Sequence, residues 1–242
     1  AYHLEVERLS KPYQLSETEE KLLMEKSLTG NGAWNRFFSQ VMGSLTAKWD
    51  GEDLPFEQVL SNISGNPDRE VRKKAADAVT EALKSKTMEL TYIFNVLAAD
   101  KASNDRLRGY PTWITSRNLS NKASDETVEA LIEAVSSNYS IVADHYNVKK
   151  ALLGYDEMYD YDRYAPLTLK ESDTFYTWDD AKKIVLDAYS DFNPRMGEIA
   201  SRFFDENWIH APVMQGKRGG AYASYGTKST HPWIFTNFTG TA

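Results

Sequence analysis

Residues 217–242 read KRGGAYASYGTKSTHPWIFTNFTGTA, and their pattern differs from that of the chain before them. Short apolar runs alternate here with turns rich in glycine, proline and small polar residues, which is typical of β-strands joined by tight connections. The run 232–238 is largely apolar on both faces of an extended chain, so we expect it to be an interior strand. With 211–213 and 219–225, it predicts a small β-sheet at this end of the chain.

Upstream of this stretch the apolar residues follow the period of an α-helix. Ser16 and Glu19 form a capping box that opens a short helix ending near Gly30, and a second helix carries an apolar stripe over 34–42. The Asp-Gly pair at 50–51 is a signal for a tight hairpin turn. The beginning of the chain is therefore predicted to hold two helices and a small hairpin.

Two long helices are predicted in the middle of the chain. Asn66 and Pro67 fit the N-cap and the first position of a helix over 67–102, which would be about 54 Å long if it were unbroken. Ser124 and Gly154 fit the N-cap and the C-terminal stop of a second helix. Each of these predictions rests on one start signal and a continuous apolar stripe.

Helices followed by a small sheet define the predicted fold class. Thr177 and Asp180 open a further helix, and the Asn-Pro pair at 193–194 ends it and starts another. We predict a mainly α protein in which long antiparallel helices precede a small C-terminal β-sheet, an α+β arrangement. The predicted domains are a helical scaffold over 1–175 and, over 176–242, the part in which helices give way to sheet.

Composition and charge exclude several classes of function. The net charge is −7 and the basic residues form no long cluster, which disfavours nucleic acid because such binding depends on many phosphate contacts. No apolar run approaches the roughly 20 residues that span a bilayer, and the first residues lack the pattern of a signal peptide. The absence of cysteine excludes disulfides, thiolate metal sites and a cysteine nucleophile. We therefore expect a cytoplasmic protein without nucleic-acid or membrane partners.

The histidines do not form a recognisable metal site. His3, His145, His210 and His231 include no pair at the spacing of four residues, and none lies in an H-E-x-x-H motif. A helical histidine such as His145 is more often packed or partly exposed than a ligand. We predict no metal ligand and no catalytic residue in this chain.

Four acidic residues between 156 and 162 are interleaved with tyrosines. They do not match an EF-hand loop, which needs carboxylates at alternating positions, a glycine at the sixth and a bidentate acid at the twelfth. We interpret them, Asp162 included, as solvated acids that flank aromatic anchors.

The glycine-rich segment 216–220 resembles a phosphate-binding loop only superficially. A Walker A motif would place glycine at 211 and serine or threonine at 218, where this chain has Ala211 and Arg218. Glycines also let another backbone approach closely, as when an extended peptide adds to the edge of a sheet. A turn that leads into an ordinary hairpin fits the same residues equally well.

Several segments resemble, in the same order, motifs of the oligoendopeptidase F family of zinc metallopeptidases. They are LSETEE at 15–20, SLTGNGAW at 27–34, DRLRGY at 105–110, YDRYAPL at 161–167, AKKIVL at 181–186, GKRGGAY at 216–222, HP at 231–232 and NF at 237–238. The resemblance extends over nearly the whole chain.

The resemblance implies an activity that this sequence does not complete by itself. Members of the family are zinc endopeptidases that cleave short peptides in a channel between helical lobes, and their metal is held by an H-E-x-x-H helix and a further glutamate. That motif and its general base are absent from this sequence. We therefore expect a segment of such an enzyme that forms a channel wall, binds no zinc itself and is inactive alone. Its expected partners are short peptides and the rest of the same protein.

By the same resemblance, a peptide substrate would lie along the edge of the C-terminal sheet. The predicted substrate-binding residues are Gly219, Gly220, Ala221, Tyr222, Asn237 and Phe238. The alternative is a helical scaffold or peptide-binding module that has the fold without the chemistry. The residues encoded after Ala242 distinguish the two, because an H-E-x-x-H motif there would support the enzyme.

Overall fold

The computed structural model describes residues 2–167 and 175–240. Helices make up 63% of the structure and the sheets are small, so the predicted mainly α fold class is confirmed. Among the described residues, no helix is both long enough and apolar enough to cross a lipid bilayer.

The chain groups into two compact units, Ala1–Ser39 with Lys86–Asp156 and Gln40–Ser85 with Glu157–Ala242. The domain boundary predicted after residue 175 stays a prediction. The helices are, in chain order, α1 (Tyr2–Leu9), α2 (Glu17–Ser27), α3 (Asn31–Ser44), α4 (Phe56–Gly65), α5 (Arg69–Lys84), α6 (Thr87–Arg108), α7 (Thr115–Asn121), α8 (Asp125–Ser136), α9 (Tyr139–Leu153), α10 (Trp178–Phe192) and α11 (Pro194–Asp205). The strands are β1 (Thr46–Trp49), β2 (Glu52–Pro55), β3 (Ile209–Pro212), β4 (Tyr222–Ser224) and β5 (Trp233–Phe238).

In the first unit, a charged pair joins α2 to the end of α6. Two guanidinium nitrogens of Arg108 donate to the two carboxylate oxygens of Glu20 at 2.7 and 2.8 Å, and Arg108 also donates to the carbonyl of Tyr13 at 3.2 Å. The hydrogen bonds from Arg108 are the largest cause that lowers the pKa of Glu20 to about 2. The predicted capping box is confirmed, since Ser16 and Glu19 each accept the other's backbone N–H.

The single helix predicted over 67–102 is wrong, because the structure has two helices there. The first begins after Asp68, whose side chain accepts the backbone N–H of Glu70 at 2.9 Å and so caps α5. The chain leaves helical geometry at Lys86, directly after Ser85, whose hydroxyl donates to the carbonyl of Ala82 at 2.7 Å. A serine side chain that bonds to its own backbone competes with the helical ladder.

The helix predicted from Ser124 to Gly154 is also two helices, α8 and α9. Its predicted ends are confirmed, since Ser124 caps α8 and Gly154 ends α9. The break lies at 137–138, where the hydroxyl of Ser137 donates to the carbonyl of Glu133, and the amide of Asn138 to that of Ala134, each at 2.7 Å. Side-chain hydrogen bonds to the preceding turn again coincide with the break.

The second unit has a core made by the hairpin β1–β2 with α4 and α5. The predicted Asp-Gly turn is confirmed, because Asp50 and Gly51 have φ values of 52° and 88°, and Thr46 to Trp49 pair with Pro55 to Glu52. Apolar side chains of these four elements pack together with Leu45, the residue before β1, and exclude water. The buried members are Leu45, Ala47, Phe56, Val59, Ala75, Val79 and Ala82.

The interpretation of Asp162 as a solvated acid is wrong. Its side chain is completely buried and accepts hydrogen bonds from Arg72 Nη2 at 2.9 Å and from Arg69 Nη2 at 2.8 Å. Burial raises the pKa of Asp162, but the hydrogen bonds from both arginines outweigh it, so the net direction is down. The other acids of that segment, Asp156, Glu157 and Asp160, are exposed as predicted.

The C-terminal sheet has the strand order β3-β5-β4. The central position of β5 confirms the prediction of an interior strand. Strand β5 is parallel to β3 and antiparallel to β4. Its register against β3 shifts by one residue, since His210 lies opposite Phe235 whereas Pro212 lies opposite Phe238. The irregularity is a β-bulge, which changes the direction of the side chains that follow it.

Candidate functional site

The glycine loop, residues 214–221, leads from β3 towards β4 and forms the centre of the candidate site. Its first part is fixed by backbone hydrogen bonds. The N–H of Gly216 donates to the carbonyl of Gly43 at the end of α3, at 2.9 Å, and the N–H of Lys217 closes a turn onto Met214 at 3.2 Å. The loop is thus anchored to the helix that precedes the core hairpin.

The ammonium group of Lys217 is bound by the backbone of the sheet. Its Nζ donates to the carbonyls of Thr236 at 2.6 Å, Pro212 at 2.7 Å and His210 at 3.3 Å. These carbonyls flank the bulge between β3 and β5, so the ammonium group satisfies acceptors at a place where the regular ladder is interrupted. Burial lowers the pKa of Lys217.

Asn237 fixes the second part of the glycine loop. Its side-chain amide nitrogen, on the part of β5 where the register shifts, donates to the carbonyl of Gly220 at 2.9 Å and to that of Arg218 at 3.2 Å. Gly220 has a φ of +85°, which a residue with a side chain adopts only with strain. The loop therefore keeps one backbone shape, held by one lysine and one asparagine.

Tyr222 is the first residue of β4, and its ring covers one face of the sheet. It stacks on Phe235 with ring centroids 5.0 Å apart and meets the edge of Trp233 at 5.1 Å. The guanidinium of Arg218 lies 5.0 Å from the centre of the same ring. Ala221, the residue before it, is exposed.

The structure brings most of the predicted site residues together, but Phe238 has a different neighbourhood. The glycine loop and Asn237 are directly hydrogen-bonded, and Tyr222 follows the loop in sequence. The ring of Phe238 instead packs against Trp178 at the start of α10, with centroids 5.4 Å apart.

Two contributors to the site, Lys217 and Glu57, were not predicted. Glu57 lies in the first turn of α4, and its carboxylate occupies the position where a side chain on residue 219 would be, so that a Cβ on Gly219 would overlap it. Burial raises the pKa of Glu57. No sequence signal links residues 57 and 219, because their contact arises only from the tertiary fold.

Three of the histidines each contact a different aromatic ring. His145 faces the ring of Tyr146, His210 is 6.0 Å from Phe235, and His231 stacks on Trp208 at 4.6 Å. Within residues 2–167 and 175–240, no group of three histidine or carboxylate side chains could hold a metal ion.

Comparison with known proteins identifies the family. The sequence model of Peptidase family M3 matches residues 63–242, and that of Oligopeptidase F matches residues 1–46. The chain belongs to peptidase family M3. The resemblance of its motifs to oligoendopeptidase F is thereby confirmed. M3 peptidases are zinc metallopeptidases.

Relatives of this M3 chain are bacterial oligopeptidases. Oligopeptidase PepF of Bacillus subtilis (strain 168) is 28% identical over 248 residues, which covers 98% of this chain and 36% of that protein. Group B oligopeptidase PepB of Streptococcus agalactiae serotype III (strain NEM316) is 27% identical over 239 residues, which covers 95% and 38%. This chain therefore spans a little over a third of the length of these curated relatives.

A solved structure supports the M3 fold. The crystal structure from Bacillus anthracis str. Ames that was assigned as an oligoendopeptidase F matches with a TM-score of 0.81. The match covers 96% of this chain and 42% of that one, at 19% identity. At this level of identity, the likeness shows the fold alone.

Proposed function

We propose that this chain is a segment of a zinc-dependent oligoendopeptidase that hydrolyses internal bonds of short peptides. Three findings support the proposal: membership of peptidase family M3, an alignment with only 36–38% of the length of two oligopeptidases, and the absence of an H-E-x-x-H motif from the sequence. The chain would contribute one helical wall of the peptide channel and a strand edge for the substrate. It would act in the cytoplasm.

The observation that carries this proposal is the edge position of β4. In the described sheet, β4 pairs with β5 on one side only. An extended peptide can add to such an edge through main-chain hydrogen bonds, which recognise its backbone rather than its side chains. The other edge strand, β3, suits a peptide less, because Pro212 lacks an N–H and its carbonyl already accepts from Lys217.

The glycine loop would give this edge a fixed shape before the peptide binds. Lys217 and Asn237 between them hold five backbone carbonyls of the loop and the sheet. A site that is already ordered loses less conformational entropy on binding, and it presents the scissile bond in one orientation. The role proposed for these residues is to bind and orient the peptide.

The described residues do not fit a zinc ion, since no suitable group of three ligands exists among them. No hydrolytic step is therefore assigned to side chains of this chain. When zinc is bound by ligands elsewhere in the same protein, it would activate water and polarise the peptide carbonyl. The chain without those ligands would serve as a peptide-binding module, which is the alternative function for the same edge.

The test uses the full-length gene product and an internally quenched fluorescent peptide. The proposal expects cleavage that a chelator abolishes and that zinc restores. The same peptide carrying an N-methyl group at successive amides should lose cleavage at the positions that pair with β4, because methylation removes a main-chain donor. Absence of cleavage would refute the enzyme, and cleavage that no N-methyl group affects would refute binding at the strand edge.

A further inference from the structure

The carboxylate of Glu57 differs from the other acidic groups of its unit. Among the described acidic residues of that unit, only Glu57 and Asp162 are not exposed. Asp162 has two arginine partners, whereas no described residue donates a hydrogen bond to Glu57. A half-buried carboxylate without a donor has lost part of its hydration without compensation. The carboxylate oxygens of Glu57 can therefore accept a hydrogen bond from a ligand.

The position of this carboxylate relates it to the strand edge. A Cβ on Gly219 would overlap Oε1 of Glu57, so the carboxylate stands where the side chain of residue 219 would otherwise be. The absence of a side chain at Gly219 is what lets α4 place an acidic group beside the glycine loop. The carboxylate of Glu57 therefore lies beside the loop that leads into the edge strand β4, although it belongs to α4.

We propose that Glu57 forms an acidic subsite that binds a cationic group of the peptide residue lying beside Gly219. This proposal rests on the proposed function, because it takes the peptide that pairs with β4 to continue past Tyr222, alongside the glycine loop that contains Gly219. Lysine and arginine carry their charge on long, flexible side chains. Such a side chain on a peptide residue beside the glycine loop can reach the carboxylate, and so can an N-terminal ammonium group.

The basic residue that lines the same cleft, Lys217, does not occupy the subsite. Lys217 and Glu57 line the same small cleft, but the ammonium group of Lys217 donates to three backbone carbonyls and forms no ion pair with Glu57. Asn237 lines the cleft as well, and its amide hydrogens point to the carbonyls of Arg218 and Gly220. The remaining described residues around the cleft are apolar or glycine. Glu57 is thus the acidic group of the cleft.

The experiment measures kcat/KM of the full-length gene product on matched quenched peptides. Each pair differs only by lysine or norleucine at one position, and the position is moved along the peptide, with a free or an acetylated N-terminus. We expect lysine to be favoured about five- to ten-fold at one position, the range for a partly buried charged hydrogen bond. The variant Glu57→Gln should reduce this ratio to below about two-fold, whereas Glu52→Gln, at an exposed glutamate of the same unit, should keep it.

The outcomes distinguish a side-chain cation from an N-terminal ammonium group. They also distinguish failure of the acidic subsite from failure of the proposed peptidase function. A lysine preference lost in E57Q identifies a side-chain cation, and an effect of acetylation lost in E57Q identifies the terminal ammonium. Should E57Q not fold, the wild-type preference must weaken as salt is raised, because salt screens ion pairs. A ratio near one in the wild type, or one unchanged in E57Q, overturns the subsite. Failure of the wild type to cleave any of the peptides, with lysine or with norleucine, refutes the peptidase function itself.

Discussion

Arg72 and Asp162 are 90 residues apart in the sequence, yet both side chains are completely buried and Nη2 lies 2.9 Å from Oδ1. Arg69 completes the arrangement from the same helix. A buried charge is tolerated only when it is paired and hydrogen-bonded. The ion pair therefore fixes the position of the 157–167 segment against α5, because moving either element would leave a buried charge without its partner.

The substitution Asp162→Asn should destabilise the chain by about 3–5 kcal/mol, because it leaves the buried guanidinium of Arg72 without its counter-charge. Urea denaturation measures the change in the free energy of unfolding. The control is Asp160→Asn at the exposed neighbouring acid, which should stay within about 0.5 kcal/mol of the unaltered chain. Equal stability of the two variants would contradict the role of the buried pair.

The pair of Glu20 and Arg108 should make stability depend on pH in the acid range. The pKa of Glu20 is lowered from 4.5 to about 2 in the folded chain, so its contribution is fully present above 4.5 and is lost as the pH falls through about 2. Urea midpoints between pH 5 and pH 2 should therefore fall less steeply in Glu20→Gln. The exposed Glu25→Gln should retain the original slope, and identical slopes in all three proteins would exclude this cause.

Replacing Lys217 with methionine keeps the length of the side chain but removes the donor to three carbonyls. We expect a loss of about 1–3 kcal/mol in the free energy of unfolding, the cost of leaving partly buried acceptors unpaired. Lys228→Met, at an exposed lysine of the same unit, is the matched control and should be nearly neutral. A neutral K217M would mean that water replaces the ammonium group without cost.

The contact between Gly219 and Glu57 predicts a coupling between two substitutions. Gly219→Ala should cost about 0.5–1 kcal/mol, because its Cβ overlaps the carboxylate and the flexible side chain of Glu57 must move. In a background of Glu57→Ala the same change should cost less, because the obstacle is gone. A double-mutant cycle on unfolding free energies should give a coupling of about 0.5 kcal/mol or more, and additivity would show that the two residues are not in contact.

Local signals in the sequence predicted much of the fold. The capping boxes at Ser16 and Thr177 and the Asp-Gly turn all act within a few residues, and each lies where it was predicted. The helix breaks at Ser85 and Ser137 were missed, because a serine in an apolar stripe does not show whether its hydroxyl bonds to solvent or to the preceding turn. Capping residues in the sequence predict where a helix starts more reliably than any local signal predicts where it is interrupted.

The candidate site was only partly predictable, for a different reason. The glycines at 219 and 220 mark the loop in the sequence, and their assignment to peptide binding stays a prediction. The carboxylate of Glu57 reaches that loop from a helix that starts more than 150 positions earlier, and the partners of Asp162 come from α5. Contacts of that separation depend on how elements pack, which periodicity and turn chemistry do not specify.

The hydrogen bonds from the side chains of Lys217 and Asn237 determine which neighbouring residues can be substituted without loss of structure. All five acceptors are main-chain carbonyls, which every amino acid supplies. Side chains at His210, Thr236 and Arg218 can therefore change without removing these bonds, provided that the backbone keeps its path. Substitutions at those positions would change the side chains that a ligand meets but would keep the backbone geometry of the edge. Ligand specificity can therefore change while the fold of this site is retained.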